Sequence, residues 1–431
     1  LVAADLETLS SLAESEVGKP SWETITAELM PLIASCRWHA RRAGRILKDR
    51  RLPGRPWWLL GQRGLVRRVP LGRVGIIGTW NYPIQLLGIQ IVQAVVGGNQ
   101  VVVKPSERSP KTQRRLIELA RAAGLSREDL VVMSSDRMAG GRLLQEPHLD
   151  HVVFTGSTAV GTLVAESAAG RLLPTTLELS GCDSAIVLDD ADPVVAARSI
   201  WASVTMNAGQ TCMAPRRVLV HADRHAAFAA ALVPLAAGAG MRNLIDAAAA
   251  DRHRGLVEDA IQRGGRPAAL VADPADGRRV RPQVILDCPL DAEAFDAEHF
   301  GPLLVVRAWR TETELLAMHR RGGKHLATSV FTANRHRVDR LIPALGSGLV
   351  TINDSVIPSA HPAAALSPVG GSGWGSSRGT EGLLAMTRPV VVTRTGRLRI
   401  PAGEPDARAK RMLENMVRRW GRGITPPSDT N

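Results

Sequence analysis

Aromatic side chains are scarce in this chain, which has one tyrosine and five phenylalanines among its 431 residues. Its core must therefore be built mainly from Ala, Val, Leu and Ile. Cysteine is scarcer still. Cys36, Cys182, Cys212 and Cys288 lie far apart without CxxC spacing. Four such residues cannot staple a chain of this length, so the reading is a reducing, cytoplasmic compartment with no metal site. No apolar run approaches the roughly 18 residues of a membrane span. The opening residues carry acids and no basic stretch, so no secretory leader is expected.

What is present is a soluble globular balance, with 45% hydrophobic and 22% charged residues. The net charge is +13, mostly arginine, scattered with small clusters at 41–42, 67–68, 216–217 and 278–281. A nucleic-acid surface would gather that charge on one face and interleave aromatics for stacking. No nucleic-acid partner is expected. Anionic substrates or cofactor phosphates would be drawn to a basic surface equally well.

Along the chain, residues 1–50 read as helical until Pro53, Gly54 and Pro56 break the pattern. Residues 64–79 read as extended, with a turn at Leu71 and Gly72. Short apolar strands at 74–79, 100–104, 131–133, 151–154 and 175–179 then alternate with helices at 83–96 and from Ser109-Pro110 to Gly124. A second series follows Gly181: a strand at 185–188, a helix capped by Asp192-Pro193, a strand at 217–220, and more of the same to about 365. Such alternation predicts α/β architecture: two open parallel sheets with both faces covered. Another strand is expected at 389–395. The tail from 401 is Arg-rich, and its 407–420 part reads as an amphipathic helix.

Several segments carry chemistry. In HVVFTGSTAVG a buried strand runs through Gly156 to Ser157 and into a helix, whose N-terminus offers free N–H groups to a phosphate. Its glycine spacing is GxxxxG, and a plain strand-to-helix turn reads the same way. Trp80-Asn81-Tyr82-Pro83 and Lys104-Pro105-Ser106-Glu107 follow two other strands, at the carboxyl ends where open sheets bind ligands. Lys104 and Glu107 could reach ribose hydroxyls; either could also be a solvated loop residue. Asn81 could equally bond its own turn. Cys212 follows Gly209, Gln210 and Thr211, small or polar neighbours able to expose a thiol, whereas a lone cysteine more often packs in a core. Cys182, in a Ser-Gly-Cys-Asp turn, is a weaker competitor. Glu178 stands in an apolar strand, where a carboxylate must be functional, paired or neutral.

Taken together and in order, PLGRVGIIGTWNYP, GNQVVVKPSE, FTGSTAVG, LELSG, NAGQTC, EHFGP at 298–302, GLVTIND at 348–354 and GGSGWGSSRGTEG at 370–382 resemble the aldehyde dehydrogenase superfamily from about residue 20 to 395. The short N-terminus and the Thr-Ala-Val-Gly ending of the glycine loop are most similar to its class 3 branch, commonly dimeric. The resemblance implies Cys212 as nucleophile, Glu178 as general base, and the Asn81 amide with the Cys212 N–H as oxyanion donors. It implies Lys104 and Glu107 at the adenosine ribose, with Trp80, Ser106 and Gly156 also on the cofactor. Ser157 would meet the pyrophosphate, Glu298 the nicotinamide ribose, with Phe300 packing beside it. The cofactor is NAD, because Glu107 should repel a 2′-phosphate, though NADP stays open.

The implied organisation is a cofactor domain (1–60 and 76–179), a catalytic domain (180–365), oligomerisation strands (61–75 and 388–400) and a basic tail (401–431). The implied product is a carboxylate, since members that transfer the acyl group to coenzyme A generally lack this glutamate. A silent scaffold and a coenzyme A-dependent enzyme are the alternatives. Tyr82, Ile84, Leu86, Ile89, Thr211 and Met213 should line a channel for an apolar or aromatic aldehyde in a homodimer. Where the family continues Glu-Leu-Gly-Gly with Lys or Asn and Pro, this chain has Ser180-Gly181-Cys182-Asp183-Ser184. That change could tune the base, place an oxidisable thiol near Cys212, or be neutral.

Overall fold

The computed structural model describes residues 1–56, 59, 61–269, 277–396 and 403–421. They form two compact units. The first comprises Leu1–Lys48 and Arg68–Pro389, the second Asp49–Arg67 and the described part of Val390–Asn431.

The described residues of the first unit form two large sheets and a two-stranded one that pairs Arg242–Asn243 with Arg279–Val280. The main strands of the large sheets are β1 (Arg73–Ile77), β2 (Gln100–Lys104), β3 (Leu130–Val132), β4 (His151–Gly156), β5 (Thr175–Leu179), β6 (Ser184–Val187), β7 (Arg217–His221), β8 (Gln283–Leu286), β9 (Leu303–Trp309), β10 (Ala327–Phe331), β11 (Leu349–Ile352) and β12 (Gly373–Trp374). One sheet has the order β12-β5-β4-β1-β2-β3, parallel except for β12. The other runs β8-β9-β7-β6-β10-β11, all parallel, with Arg266–Pro267 antiparallel on its β8 edge.

The parallel strands read as unbroken apolar runs because both faces are covered. Period-two alternation sends Leu219 and Ile186 into one layer, and Val218, Val220, Ala185 and Val187 into the other. Full burial of each Val, Leu or Ile contributes about 1.5–3 kcal/mol. The rare phenylalanines are spent here too. Phe154, Phe228, Phe295 and Phe331 are buried, and only Phe300 stays half-exposed.

In the first sheet the order reverses about β1. The loops after β1, β2 and β4 therefore leave the same sheet end, the usual place for a ligand crevice. They carry Trp80–Asn81, Lys104–Glu107 and Gly156–Ser157.

Several boundaries differ from the sequence reading. The strand Gln62–Pro70 ends at Pro70, and Arg73–Gly75, expected in the oligomerisation strands, belong to β1 at the heart of a sheet. Residues 49–56, expected with the cofactor half, lie in the second unit, where Arg50 and Arg51 pair with Val66 and Leu65. That unit is built on a three-stranded sheet in the order Arg50–Arg51, Gln62–Pro70, Thr387–Thr395. Of the strand expected over 388–400, residues 397–400 lie outside the described residues, as do 401–402 and 422–431 of the tail.

Ser109 makes no capping bond. The helix Pro110–Ala122 is capped instead by Glu16, which accepts from Lys111 N at 2.8 Å and Thr112 N at 2.9 Å. A carboxylate at a helix N-terminus satisfies orphan N–H groups and meets the dipole favourably. Ser157 and Asp192 do cap, accepting from Val160 N and from Val194 N and Val195 N.

Candidate active site

The loop bearing Cys212 begins where the helix Pro193–Thr205 ends. Asn207, Ala208 and Gly209 then take left-handed backbone (φ 51°, 54° and 73°). Two non-glycine residues in that region cost about 1–3 kcal/mol each and persist only when neighbours over-determine them. The neighbours are evident. Glu23 accepts from Asn207 N at 2.7 Å, and Asn207 Nδ2 donates to Asn81 O at 2.8 Å and Gln210 O at 3.0 Å. Gln210 Oε1 accepts from Ile245 N at 2.8 Å. Gly209 is required on a second ground, since a Cβ there would lie 2.3 Å from Gly301 O.

Beneath the loop sits Arg216, almost wholly buried. Its Nη1 donates to Gly209 O at 2.8 Å and its Nη2 to Thr211 O at 2.6 Å. Its guanidinium also lies over the Phe300 ring, 5.4 Å from the centroid. Asp183 lies in the same interior. Its Oδ1 accepts from Leu326 N at 2.8 Å, and its carbonyl accepts from Arg216 N at 2.8 Å. Burial pushes its carboxyl up to about 8, against the pull of Arg216 and Arg217.

Asn81 is buried and tied to this loop. Its Nδ2 donates to Gln210 O at 3.1 Å, and its Oδ1 accepts from Thr79 Oγ1 at 3.0 Å. Lys19 donates to the Asn81 carbonyl at 2.7 Å, pairs with buried Glu28, and lies 3.9 Å from the centre of the Tyr82 ring. Glu28 in turn accepts from Ile84 N at 2.7 Å and Gln85 N at 3.2 Å, capping the helix Gln85–Val96. Tyr82 OH lies 2.6 Å from Thr211 Oγ1.

Cys212 is half-buried and opens on a cavity of about 470 Å3 lined by Tyr82, Leu86, Thr211, Met213, Val356 and Ile357, with Glu23, Arg242 and Arg378 among its charged walls. Enclosure pushes its thiol up to about 11; Arg378 pulls it back, and the charge of Glu178 adds to the rise. Glu178 is buried in β5 opposite Gly373 of β12, and its Oε1 has no hydrogen-bond partner among the described residues. Burial raises its carboxyl and Arg378 opposes this, so one cation serves both groups. Arg378 is fixed by Gln93 Oε1, which accepts from its backbone N at 3.1 Å, and by Ser359 O, which accepts from Nη1 at 3.1 Å. The structure thus gathers Asn81, Glu178 and Cys212 into one neighbourhood.

Of the predicted channel residues, Tyr82, Leu86, Thr211 and Met213 line the cavity. Ile84 and Ile89 do not; both pack into the core under the first sheet. Cys182 is no competitor for the nucleophile. It is almost fully buried, its thiol is raised by burial, and its sulfur faces Phe295 O at 3.5 Å.

The expected cofactor residues fall into two groups. Lys104 is buried and pairs with half-exposed Glu107 at 2.6 Å. Ser106 donates its backbone N to Gln113 at 2.7 Å and accepts from Arg108 N at 3.2 Å. The second group gathers at the helix Thr158–Ala169, behind Gly156 and exposed Ser157. Glu298 accepts there from Thr158 Oγ1 at 2.9 Å, from Lys324 Nζ at 3.1 Å and from Ser180 Oγ. Burial alone would raise its carboxyl, but the Ser180 and Lys324 contacts outweigh it and the net shift is downward. Trp80 meets Phe300 edge-on at 5.7 Å.

Sequence reasoning missed Lys19, Glu23, Glu28, Arg216, Lys324 and Arg378. Only Arg378 left a signal, as the lone cation of GGSGWGSSRGTEG.

Comparison with known proteins follows the same lines. A sequence model of the aldehyde dehydrogenase family matches residues 1–392. A probable coniferyl aldehyde dehydrogenase of Pseudomonas aeruginosa is 32% identical over 85% of this chain and 78% of its own length. A mitochondrial succinate-semialdehyde dehydrogenase of Arabidopsis thaliana is 34% identical over 83% and 69%. Among solved structures, an aldehyde dehydrogenase of Mycobacterium tuberculosis complexed with NAD+ superposes with TM-score 0.85 at 27% identity, covering 93% of this chain and 84% of that one. An NADP-dependent glyceraldehyde-3-phosphate dehydrogenase of Bacillus halodurans, complexed with NADP, gives 0.84 at 28% identity over 92% and 84%. The chain belongs to the aldehyde dehydrogenase family and is an NAD(P)-dependent oxidoreductase acting on the aldehyde group.

Proposed function

We propose that this enzyme oxidises apolar or aromatic aldehydes to carboxylates, with Cys212 as nucleophile, Glu178 as general base and Asn81 as oxyanion donor. The observation that carries the reading is Cys212 on the wall of a largely apolar cavity, within electrostatic reach of the buried Glu178, whose Oε1 has no hydrogen-bond partner among the described residues.

The Cys212 thiolate attacks the carbonyl carbon, and the oxyanion draws on the Asn81 amide and the Cys212 N–H. Asn81 Nδ2 already spends one hydrogen on Gln210 O, which leaves its second free to turn toward the substrate. A bound nicotinamide supplies the hydride acceptor. Lys104 and Glu107 fit the adenosine ribose. The first N–H groups of Thr158–Ala169, beside Ser157, fit the pyrophosphate, and Glu298 fits the second ribose. After oxidation, Glu178 takes a proton from water, and that water hydrolyses the Cys212 thioester.

Three further points belong to the reading. Glu107 favours NAD over NADP, because a 2′-phosphate would meet its carboxylate. The three-stranded sheet of the second unit pairs subunits in a homodimer. Four free cysteines fit a cytoplasmic setting.

NADH formation across an aldehyde panel, with and without coenzyme A, tests the proposal. Activity lost in Cys212→Ala and product unchanged by coenzyme A support it; an acyl-CoA product refutes the hydrolytic half. Arg242 and Arg378 favour a second reading, an aldehyde with a remote carboxylate, as in the name of the Arabidopsis relative. A preference for succinic semialdehyde over benzaldehyde in the same panel would select it.

A further inference from the structure

The helix Ala407–Gly421 takes no part in the chemistry above. Asp406 sets its start, accepting from Arg408 N at 3.0 Å and Ala409 N at 2.7 Å. Its apolar residues, Ala409, Met412, Leu413, Met416, Val417 and Trp420, fall three and four apart. At 100° per residue they cover a stripe about 140° wide. Lys410 borders one edge of that stripe; Arg408 and Arg419 border the other. Arg411 and Arg418 lie on the far side, and Glu414 is the helix's one acid. Met412 is 59% exposed, Leu413 46% and Val417 72%.

We propose that this helix lies in the plane of an anionic phospholipid surface, with its apolar stripe in the acyl boundary and its basic residues on the headgroups. An apolar stripe with basic side chains on both borders is the pattern of an interfacial helix. It complements a negative bilayer on two counts at once, apolar burial and charge. A nucleic acid would use the basic residues but leave the stripe in water. A second copy of this chain carries a net charge of +13, which opposes docking of a basic helix. At 15 residues the helix is too short to span a bilayer, and no helix among the described residues is long and apolar enough to cross one.

The test is co-sedimentation of the full chain with vesicles of phosphatidylcholine alone or mixed with phosphatidylglycerol, near 0.1 M salt. Binding at least about tenfold stronger to the anionic vesicles, and weaker in 1 M salt, is expected. L413E/V417E should abolish binding while aldehyde oxidation in solution continues, which shows the variant to be folded. R418E/R419E should remove the preference for the anionic lipid. Equal binding to both vesicles, no binding, or binding that survives L413E/V417E overturns the proposal. So does a loss of self-association in L413E/V417E without vesicle binding by the parent, which would make a second copy the occupant. Salt-sensitive binding to DNA in place of vesicles overturns it as well.

Discussion

Replacing Arg216 by methionine tests how the nucleophile is held. The guanidinium makes two charge-assisted hydrogen bonds, to Gly209 O and Thr211 O, in an almost wholly buried setting. Each such bond contributes about 1.5–3 kcal/mol, so deleting both should cost about 3–6 kcal/mol of stability. That is a large share of the 5–15 kcal/mol typical of a folded domain. Part of the loss takes the form of loop displacement, because Thr211 is the residue before Cys212. A shift of about 1 Å at a reacting group costs about 100-fold in rate. The expected result is therefore a fall of about 100-fold in kcat for NADH formation, with a lower urea midpoint. Arg216→Lys retains the charge but cannot span both carbonyls, and should recover stability more than kcat. If Arg216→Met kept more than a third of the parent kcat with an unchanged midpoint, the clamp argument would be refuted.

Five other outcomes are expected. The Cys212 thiol, pushed up to about 11, is only about one part in ten thousand thiolate at pH 7, so iodoacetamide alkylation of the free enzyme should rise about tenfold per pH unit from 7 to 10; a plateau below pH 9 contradicts this. Glu178 has a raised carboxyl and is protonated at pH values where an ordinary glutamate is ionised, so thioester hydrolysis should speed up as pH climbs through that raised value. Glu178→Gln should slow hydrolysis by about 100-fold or more and flatten the profile, read as acyl-enzyme accumulation in a stopped-flow burst. Gly209→Ala places a methyl 2.3 Å from Gly301 O at a positive φ, and should yield protein that is insoluble or inactive, judged by soluble fraction and turnover. Glu107→Gln should narrow the NAD-to-NADP ratio of kcat/KM by about tenfold or more; an unchanged ratio removes Glu107 from cofactor choice.

The sheet framework was readable because parallel strands advertise themselves as apolar runs such as VVVK and HVVF, separated by capped helices. Cys212 stood out because its neighbours are small or polar, and Glu178 because an acid in an apolar strand needs a reason. The strand β12 was not readable. It lies some 195 positions beyond its partner β5, and two residues of GW carry no pattern. Ile84 and Ile89 were misplaced because composition identifies an apolar residue but not which face of a helix meets the cavity. Ser109 looked like a cap by the local rule, yet Glu16, 95 positions before Lys111, takes that place. The buried charges Lys19, Glu28 and Arg216 failed for one reason. Each is satisfied by a partner distant in sequence or by a backbone carbonyl, and neither leaves a trace in residue spacing.

Those buried charges also explain why the N-terminal helices matter to a site formed two hundred residues later. The loop before Cys212 holds three consecutive left-handed residues, a conformation that its own sequence does not favour. It stays there because Glu23 takes the Asn207 N–H from one side while Arg216 takes the Gly209 and Thr211 carbonyls from the other. Lys19 and Glu28 fix the turn carrying Asn81 and Tyr82, which bond to the same loop through Gln210 O and Thr211 Oγ1. Nucleophile and oxyanion donor are thus positioned by one connected polar network. Loss of one member should therefore loosen both. Single substitutions at Lys19, Glu23 or Arg216 ought then to give sub-additive losses of kcat when combined, since each releases the same loop.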